Sequence, residues 1–139
     1  MSLAPHGILE TSLYAEDLVQ AERFYRDVLG LSVAARVEGR HVFFRCGHGM
    51  LLIFRPEISA KRPLMGAKLP VPPHGATGPG HVCFSAMADE CPRWFDRLKQ
   101  NGVRVEADFT WPGGGRSVYF RDPAGNSIEL AEPRIWALR

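Results

Sequence analysis

Tyr119-Phe120-Arg121-Asp122-Pro123-Ala124-Gly125-Asn126-Ser127-Ile128-Glu129-Leu130 is the stretch on which the fold turns. Apolar, β-prone residues flank an Asp-Pro-Ala-Gly turn, which predicts a hairpin of strands over residues 117–121 and 126–131. An earlier segment repeats the plan, with strands over residues 41–46 and 50–55 around Gly47-His48-Gly49. One constant offset pairs His41 with Ser117, Phe44 with Phe120, Arg45 with Arg121, Gly49 with Gly125 and Ile53 with Glu129.

Working outward, each hairpin is preceded by a strand and a helix. Residues 8–14 read as a strand, and Asp17 caps a helix whose apolar residues Leu18, Ala21, Phe24, Val28 and Leu29 recur at helical spacing. Gly30 ends it. The second unit begins at His81-Val82-Cys83-Phe84, with Asp89 as cap, Trp94, Phe95 and Leu98 as the buried stripe, and Gly102 as stop. A second offset pairs Glu10 with His81, Leu13 with Phe84 and Phe24 with Phe95. Between the units, residues 55–80 are rich in proline and glycine, including Pro70-Val71-Pro72-Pro73-His74-Gly75, and read as a linker or lid.

These features predict an α+β domain over residues 1–139, built from two strand–helix–three-strand modules. Module 1 spans about residues 7–56, the linker about 57–79 and module 2 about 80–133. A helix covers one face of each sheet, and the two curved mixed sheets are expected to form a cleft.

The totals exclude several function classes. Seventeen basic residues face fifteen acidic ones in 139, with no long run of either sign, so nucleic acid and acidic membrane surfaces are not expected partners. Cys46, Cys83 and Cys91 are odd in number and lack Cys-x-x-Cys spacing, which argues against a disulfide framework or a zinc knuckle and suggests a reducing cytoplasm. No apolar stretch approaches the roughly 18–20 residues of a membrane span, and no secretory signal is evident.

Side chains two apart in a strand share a face. Glu10, Ser12 and Tyr14 form one set, His81, Cys83 and Ser85 a second, and Ser127, Glu129 and Ala131 a third, all on the faces away from the helices. Glu129, flanked by Ile128 and Leu130, needs a counter-charge or a proton. A divalent cation would supply the charge.

With its motifs Glu10-x-x-Leu13-Tyr14-x-x-Asp17-Leu18, Phe24-Tyr25-x-x-Val28-Leu29-Gly30, Gly80-His81-Val82-Cys83-Phe84 and the Asp122-Pro123-Ala124-Gly125-Asn126 hairpin, the chain resembles the vicinal-oxygen-chelate superfamily over nearly its whole length. That superfamily comprises glyoxalases, extradiol dioxygenases and fosfomycin- or bleomycin-resistance proteins. The resemblance implies three metal ligands, Glu10, His81 and Glu129, and one divalent ion per site, Fe, Mn, Zn or Ni. It also implies a homodimer in which Glu10 of one subunit meets His81 and Glu129 of the other. Glu10 stands where fosfomycin-resistance proteins and extradiol dioxygenases have His, so two carboxylates and one imidazole make a harder site, suited to Mn(II), Mg(II) or Zn(II) as well as Fe(II). Glyoxalase I enzymes carry a fourth ligand, a Glu, at the repeat partner of the last-strand position. Ile53 takes that place here, and because an aliphatic side chain binds no metal, a lactoylglutathione lyase is not expected.

Further candidates surround the triad. His74 reads either as a general acid or base lowered onto substrate by a mobile loop, or as an exposed loop histidine. Trp111-Pro112-Gly113-Gly114-Gly115-Arg116-Ser117 precedes Tyr119, and resembles the Gly-x-Ser-x-Tyr stretch of fosfomycin-resistance proteins. Arg116, Ser117 and Trp111, with Ser12, are therefore candidate substrate contacts, and Tyr119 joins His74 as a candidate catalytic residue. Arg116 has the alternative of a solvated edge arginine. Without a Gly-Lys-Ser/Thr sequence there is no nucleotide-binding P-loop. Cys83 reads as a small buried filler.

Three functions are thus in competition. A metal-dependent enzyme binding a small substrate through vicinal oxygens leads, with ring-cleaving-dioxygenase chemistry ahead of lyase or isomerase chemistry. A metal-free drug-sequestering protein of the bleomycin-resistance kind and a fosfomycin-resistance-like thiol transferase follow.

Overall fold

The computed structural model describes residues 2–138, and the chain divides into two compact units, Met1–Thr77 and Gly78–Arg139. Each is an α+β unit with one four-stranded mixed sheet.

In the first unit β1 (Glu10–Tyr14) leads into α1 (Leu18–Arg23), which continues as a wider π turn over Phe24–Val28. Asp17 caps α1 by accepting the Gln20 N–H at 3.0 Å, and Gly30 leaves the helix at φ +73°. β2 (Ser32–Val37), β3 (His41–Cys46) and β4 (Gly49–Phe54) follow, then a single turn of helix, α2 (Pro56–Ser59). The sheet order is β1-β4-β3-β2, with β1 and β4 parallel and the remaining pairs antiparallel. Leu13, Val42, Phe44, Leu51 and Ile53 are buried, as are Ala21, Phe24, Tyr25 and Val28 from the helical segment. Tyr25 joins the two layers, its ring 5.1 Å from Phe24 and 5.6 Å from Phe44.

The second unit repeats this order: β5 (His81–Ser85), α3 (Cys91–Gln100), β6 (Ala107–Thr110), β7 (Arg116–Arg121) and β8 (Ser127–Ala131), in the sheet order β5-β8-β7-β6. Phe84, Val118, Phe120, Ile128 and Leu130 are buried, with Cys91 and Leu98 from α3. Trp94 and Phe95 are only half-buried and carry arginines instead: Arg97 lies 5.1 Å over Trp94, and Arg116 lies 4.6 Å over Phe95. Asp89 does not cap α3. A 3₁₀ turn, Ala88–Glu90, precedes the helix, and the Glu90 carboxylate accepts the Met87 N–H at 3.0 Å.

The repeat is real, but its register differs by one residue from the sequence expectation. β3 and β7 match as expected, since Phe43 opposes Leu52 as Tyr119 opposes Glu129. On the parallel side, Ser12 opposes Leu52 as Cys83 opposes Glu129. The partner of Glu129 is therefore Leu52, not Ile53, which points to the opposite face. The second hairpin has one more residue between Arg121 and Ser127 than the first has between Arg45 and Met50, and one residue exchanges the faces of a strand.

The segment after α2 has no regular structure up to β5, and Leu64, Met65, Leu69 and Val71 are exposed along it. Its end is nonetheless tied down: His74 N–H donates to the Ser59 carbonyl at 2.9 Å, and Ser59 Oγ donates to the His74 carbonyl at 2.7 Å. Among the described residues, no helix is long and apolar enough to cross a membrane.

Candidate metal centre

The Asp122-Pro123-Ala124-Gly125-Asn126 turn sets the position of His81. Asp122 Oδ1 accepts the Ala124 and Asn126 N–H groups at 3.0 and 2.9 Å, and its Oδ2 accepts Asn126 Nδ2 at 2.9 Å. Asn126 Oδ1 in turn accepts the Gly80 N–H at 2.7 Å, which fixes the backbone immediately before His81. Gly125 occupies φ +87°, where a side chain is disfavoured.

On the sheet face away from α3, Glu129 of β8 lies between Cys83 of β5 and Tyr119 of β7. His81 and Ser117 stand two residues earlier on those strands, within diagonal reach. Glu129 is 5% exposed. Its Oε2 accepts Ser117 Oγ at 2.6 Å, and its Oε1 lies 3.3 Å from His81 Nε2. His81 Nδ1 is 3.0 Å from the Ser127 carbonyl, which can only accept, so Nδ1 carries the ring proton. In the neutral imidazole Nε2 then directs a lone pair toward a carboxylate oxygen. Either a second proton or a cation must sit between them.

A cation fits this pair. Two ligands each about 2.1 Å from one ion stand roughly 3.0–3.4 Å apart, and a ligating His commonly donates its other N–H to a carbonyl, as His81 does. The pair would supply two ligands; among the described residues, no three His, Cys, Asp or Glu side chains gather in a metal-holding arrangement. Glu10 is exposed at the start of β1, opposite Met50.

The carboxylate also shapes its neighbours. Cys83 is exposed on this face, and partial burial, then the charge and hydrogen bonding of Glu129, push its thiol up to about 12. It is thus a lining residue and not the buried filler its composition suggests. Burial, with hydrogen bonding to Glu129, also raises the Tyr119 phenol. The Tyr119 ring stacks on His81 at 6.2 Å and on Phe109 at 5.8 Å.

The other expected residues divide. Ser117 has no exposed surface, and its hydroxyl donates to Glu129. Trp111 donates its indole N–H to Ser117 Oγ at 2.8 Å and packs edge-on against Phe109 at 4.9 Å. Arg116 turns to the α3 side, where its guanidinium makes two 2.8 Å bonds to Asp108, so the expected substrate clamp is a structural ion pair. Ser12 is exposed on β1 between Glu10 and Tyr14.

His74, of the first unit, is neither loose nor fully exposed. Its Nδ1 lies 2.7 Å from Tyr14 Oη, and Phe54 meets its ring edge-on at 4.4 Å. Phe54 also contacts Phe43 at 5.3 Å, and Phe43 stacks on His41 at 4.0 Å. Sequence reading missed this aromatic cluster and Phe109. The period-two spacing of His41 and Phe43, and of Phe109 and Trp111, was the available signal.

The fold and the paired carboxylate and imidazole define a class. The pattern of the Glyoxalase/Bleomycin resistance protein/Dioxygenase superfamily matches residues 7–130, and the chain belongs to that superfamily. Among solved structures it is similar to the lactoylglutathione lyase from Agrobacterium tumefaciens, at 47% identity and a TM-score of 0.89, covering 96% of this chain and 98% of that one. The fosfomycin resistance protein FosX from Mesorhizobium loti shares the fold at 21% identity and a TM-score of 0.64, covering 93% of each chain. So does a glyoxalase/bleomycin resistance protein/dioxygenase from Nocardioides, at 20% identity and 0.71, covering 94% of this chain and 85% of that one. No curated protein matches the chain.

Proposed function

We propose that this chain is a divalent-metal-dependent enzyme that binds a small substrate through two vicinal oxygens and carries out lyase or isomerase chemistry. The observation that carries the proposal is the His81–Glu129 pair, whose Nε2 and Oε1 face each other at 3.3 Å while Nδ1 is committed to a carbonyl. Glu10 of a second subunit would complete the ligand set in a homodimer. When bound, the cation would supply a Lewis acid that stabilises negative charge developing on a substrate oxygen.

The chain's own residues have distinct tasks. Tyr119, its phenol raised above the ordinary tyrosine range, stays protonated at neutral pH and donates a hydrogen bond beside Glu129. Phe109 and Tyr119 offer flat apolar surface to the substrate's carbon frame. His74, oriented by Tyr14, is the candidate for moving a proton.

The 47% likeness to a lactoylglutathione lyase supports lyase or isomerase chemistry over ring cleavage, which sequence reading had placed first. Leu52, at the position repeating Glu129, offers no fourth ligand, so the proposed substrate is a small oxygenated molecule other than a glutathione hemithioacetal.

Protein purified without chelator should hold about one divalent ion per site, and His81→Ala and Glu129→Ala should each lose the ion and the turnover together. Unchanged metal content in both variants refutes the proposal. The aromatic clusters favour one second reading, a metal-free sequestering protein; ligand binding that is indifferent to EDTA would select it.

A further inference from the structure

Trp111, Ser117 and Glu129 form a chain of hydrogen bonds whose direction is fixed by chemistry. An indole N–H can only donate, so Ser117 Oγ accepts it at 2.8 Å. The single hydroxyl proton of Ser117 is then committed to Glu129 Oε2 at 2.6 Å. One carboxylate oxygen is thereby occupied, and the other, Oε1, faces His81 Nε2. Ser117 has no exposed surface, and its hydroxyl also hydrogen-bonds to the Tyr119 side chain, which reaches Glu129 as well.

The relay is anchored at its outer end. Trp111 N–H donates to the Gly115 carbonyl at 2.9 Å, and Gly114 N–H donates to the Trp111 carbonyl at 2.9 Å, closing a tight turn. The edge-on contact with Phe109 restrains the indole ring. Consecutive hydrogen bonds in a buried setting reinforce one another, so the hydroxyl holds the carboxylate in one rotation.

We infer that Ser117 and Trp111 are positioning residues that act through Glu129, holding its Oε2 so that the carboxylate offers a single oxygen, Oε1, toward His81. This rests on the proposed metal function and goes beyond it. The consequence is a site whose carboxylate geometry is set by a serine of β7 and a tryptophan from the β6–β7 connection.

The test is Co(II) titration of the EDTA-stripped, full-length protein, followed by calorimetry and by the visible absorption of the bound ion. Ser117→Ala releases Oε2, so Co(II) affinity is expected to fall roughly 10–100-fold and the absorption spectrum to change. Trp111→Phe keeps the ring and removes only the N–H; a smaller change in the same direction is expected. This second variant decides the matter if Ser117→Ala fails to fold, because the indole is partly exposed. Wild-type affinity and spectrum in the folded variants would overturn the inference while leaving the metal site standing. Failure of the wild-type protein to bind Co(II) would instead overturn the metal function, and the positioning role with it.

Discussion

Gly115 and Ile135 pack so closely that a β-carbon on Gly115 would stand 2.5 Å from Ile135 Cγ2 and 3.2 Å from its backbone nitrogen. Gly115 also sits at φ +92°, outside the range that L-residues favour. Gly115 marks a close approach between the β6–β7 connection and the C-terminal turn, Pro133–Trp136. Gly115→Ala is expected to destabilise the protein by at least about 2 kcal/mol, combining backbone strain with overpacking. Urea unfolding measures it, and a loss within about 0.5 kcal/mol would contradict the close packing.

Tyr14→Phe removes the 2.7 Å partner of His74 without changing the ring that contacts Phe54 at 6.3 Å. A stability loss of about 1 kcal/mol is expected, together with shifted ¹⁵N resonances of the His74 ring as its tautomer preference changes. Unchanged ring resonances would show that the bond is not held in solution.

Asp108 and Arg116 give a pH dependence of known sign. Hydrogen bonding to the Arg116 guanidinium holds the Asp108 carboxyl below its usual range, so the stabilisation is present above the ordinary carboxylate pKa. It is lost as pH falls through the lowered folded-state value. Both side chains are about one-third exposed, at 32% and 36%, so the contribution is discounted for solvent screening to about 0.5–1 kcal/mol. Asp108→Asn should be less stable than wild type near neutrality and converge with it in acid; a constant difference across the whole acid limb of the unfolding profile would refute the assignment.

Asn126→Ala strips the Gly80 N–H of its acceptor and Asp122 Oδ2 of a donor in a site where Asn126 is 2% exposed. A loss of about 2–4 kcal/mol in thermal unfolding is expected. Because Gly80 adjoins His81, Co(II) affinity should also fall; intact affinity in the folded variant would separate the turn from the site.

Much of this was legible in the primary structure. The period-two pattern and the repeated hairpins fixed an α+β unit built twice, because a strand must hide alternate residues and a helix must hide a stripe. The same alternation put His81, Cys83 and Glu129 on one face. Arg116 and Ser117 are adjacent in a strand, so alternation alone required them to point oppositely; motif likeness had grouped them.

Three features depended on tertiary structure. The equivalence of Leu52 with Glu129 hung on one extra residue in a turn, and a hairpin's register is set by three-dimensional pairing that a linear offset does not follow. The requirement for glycine at Gly115 emerged only when Ile135, distant in the chain, arrived against it. Sequence named the donors, since residue chemistry is local. The relay from Trp111 through Ser117 to Glu129 was decided by packing, since hydrogen bonds depend on where the chain brings its donors and acceptors to rest.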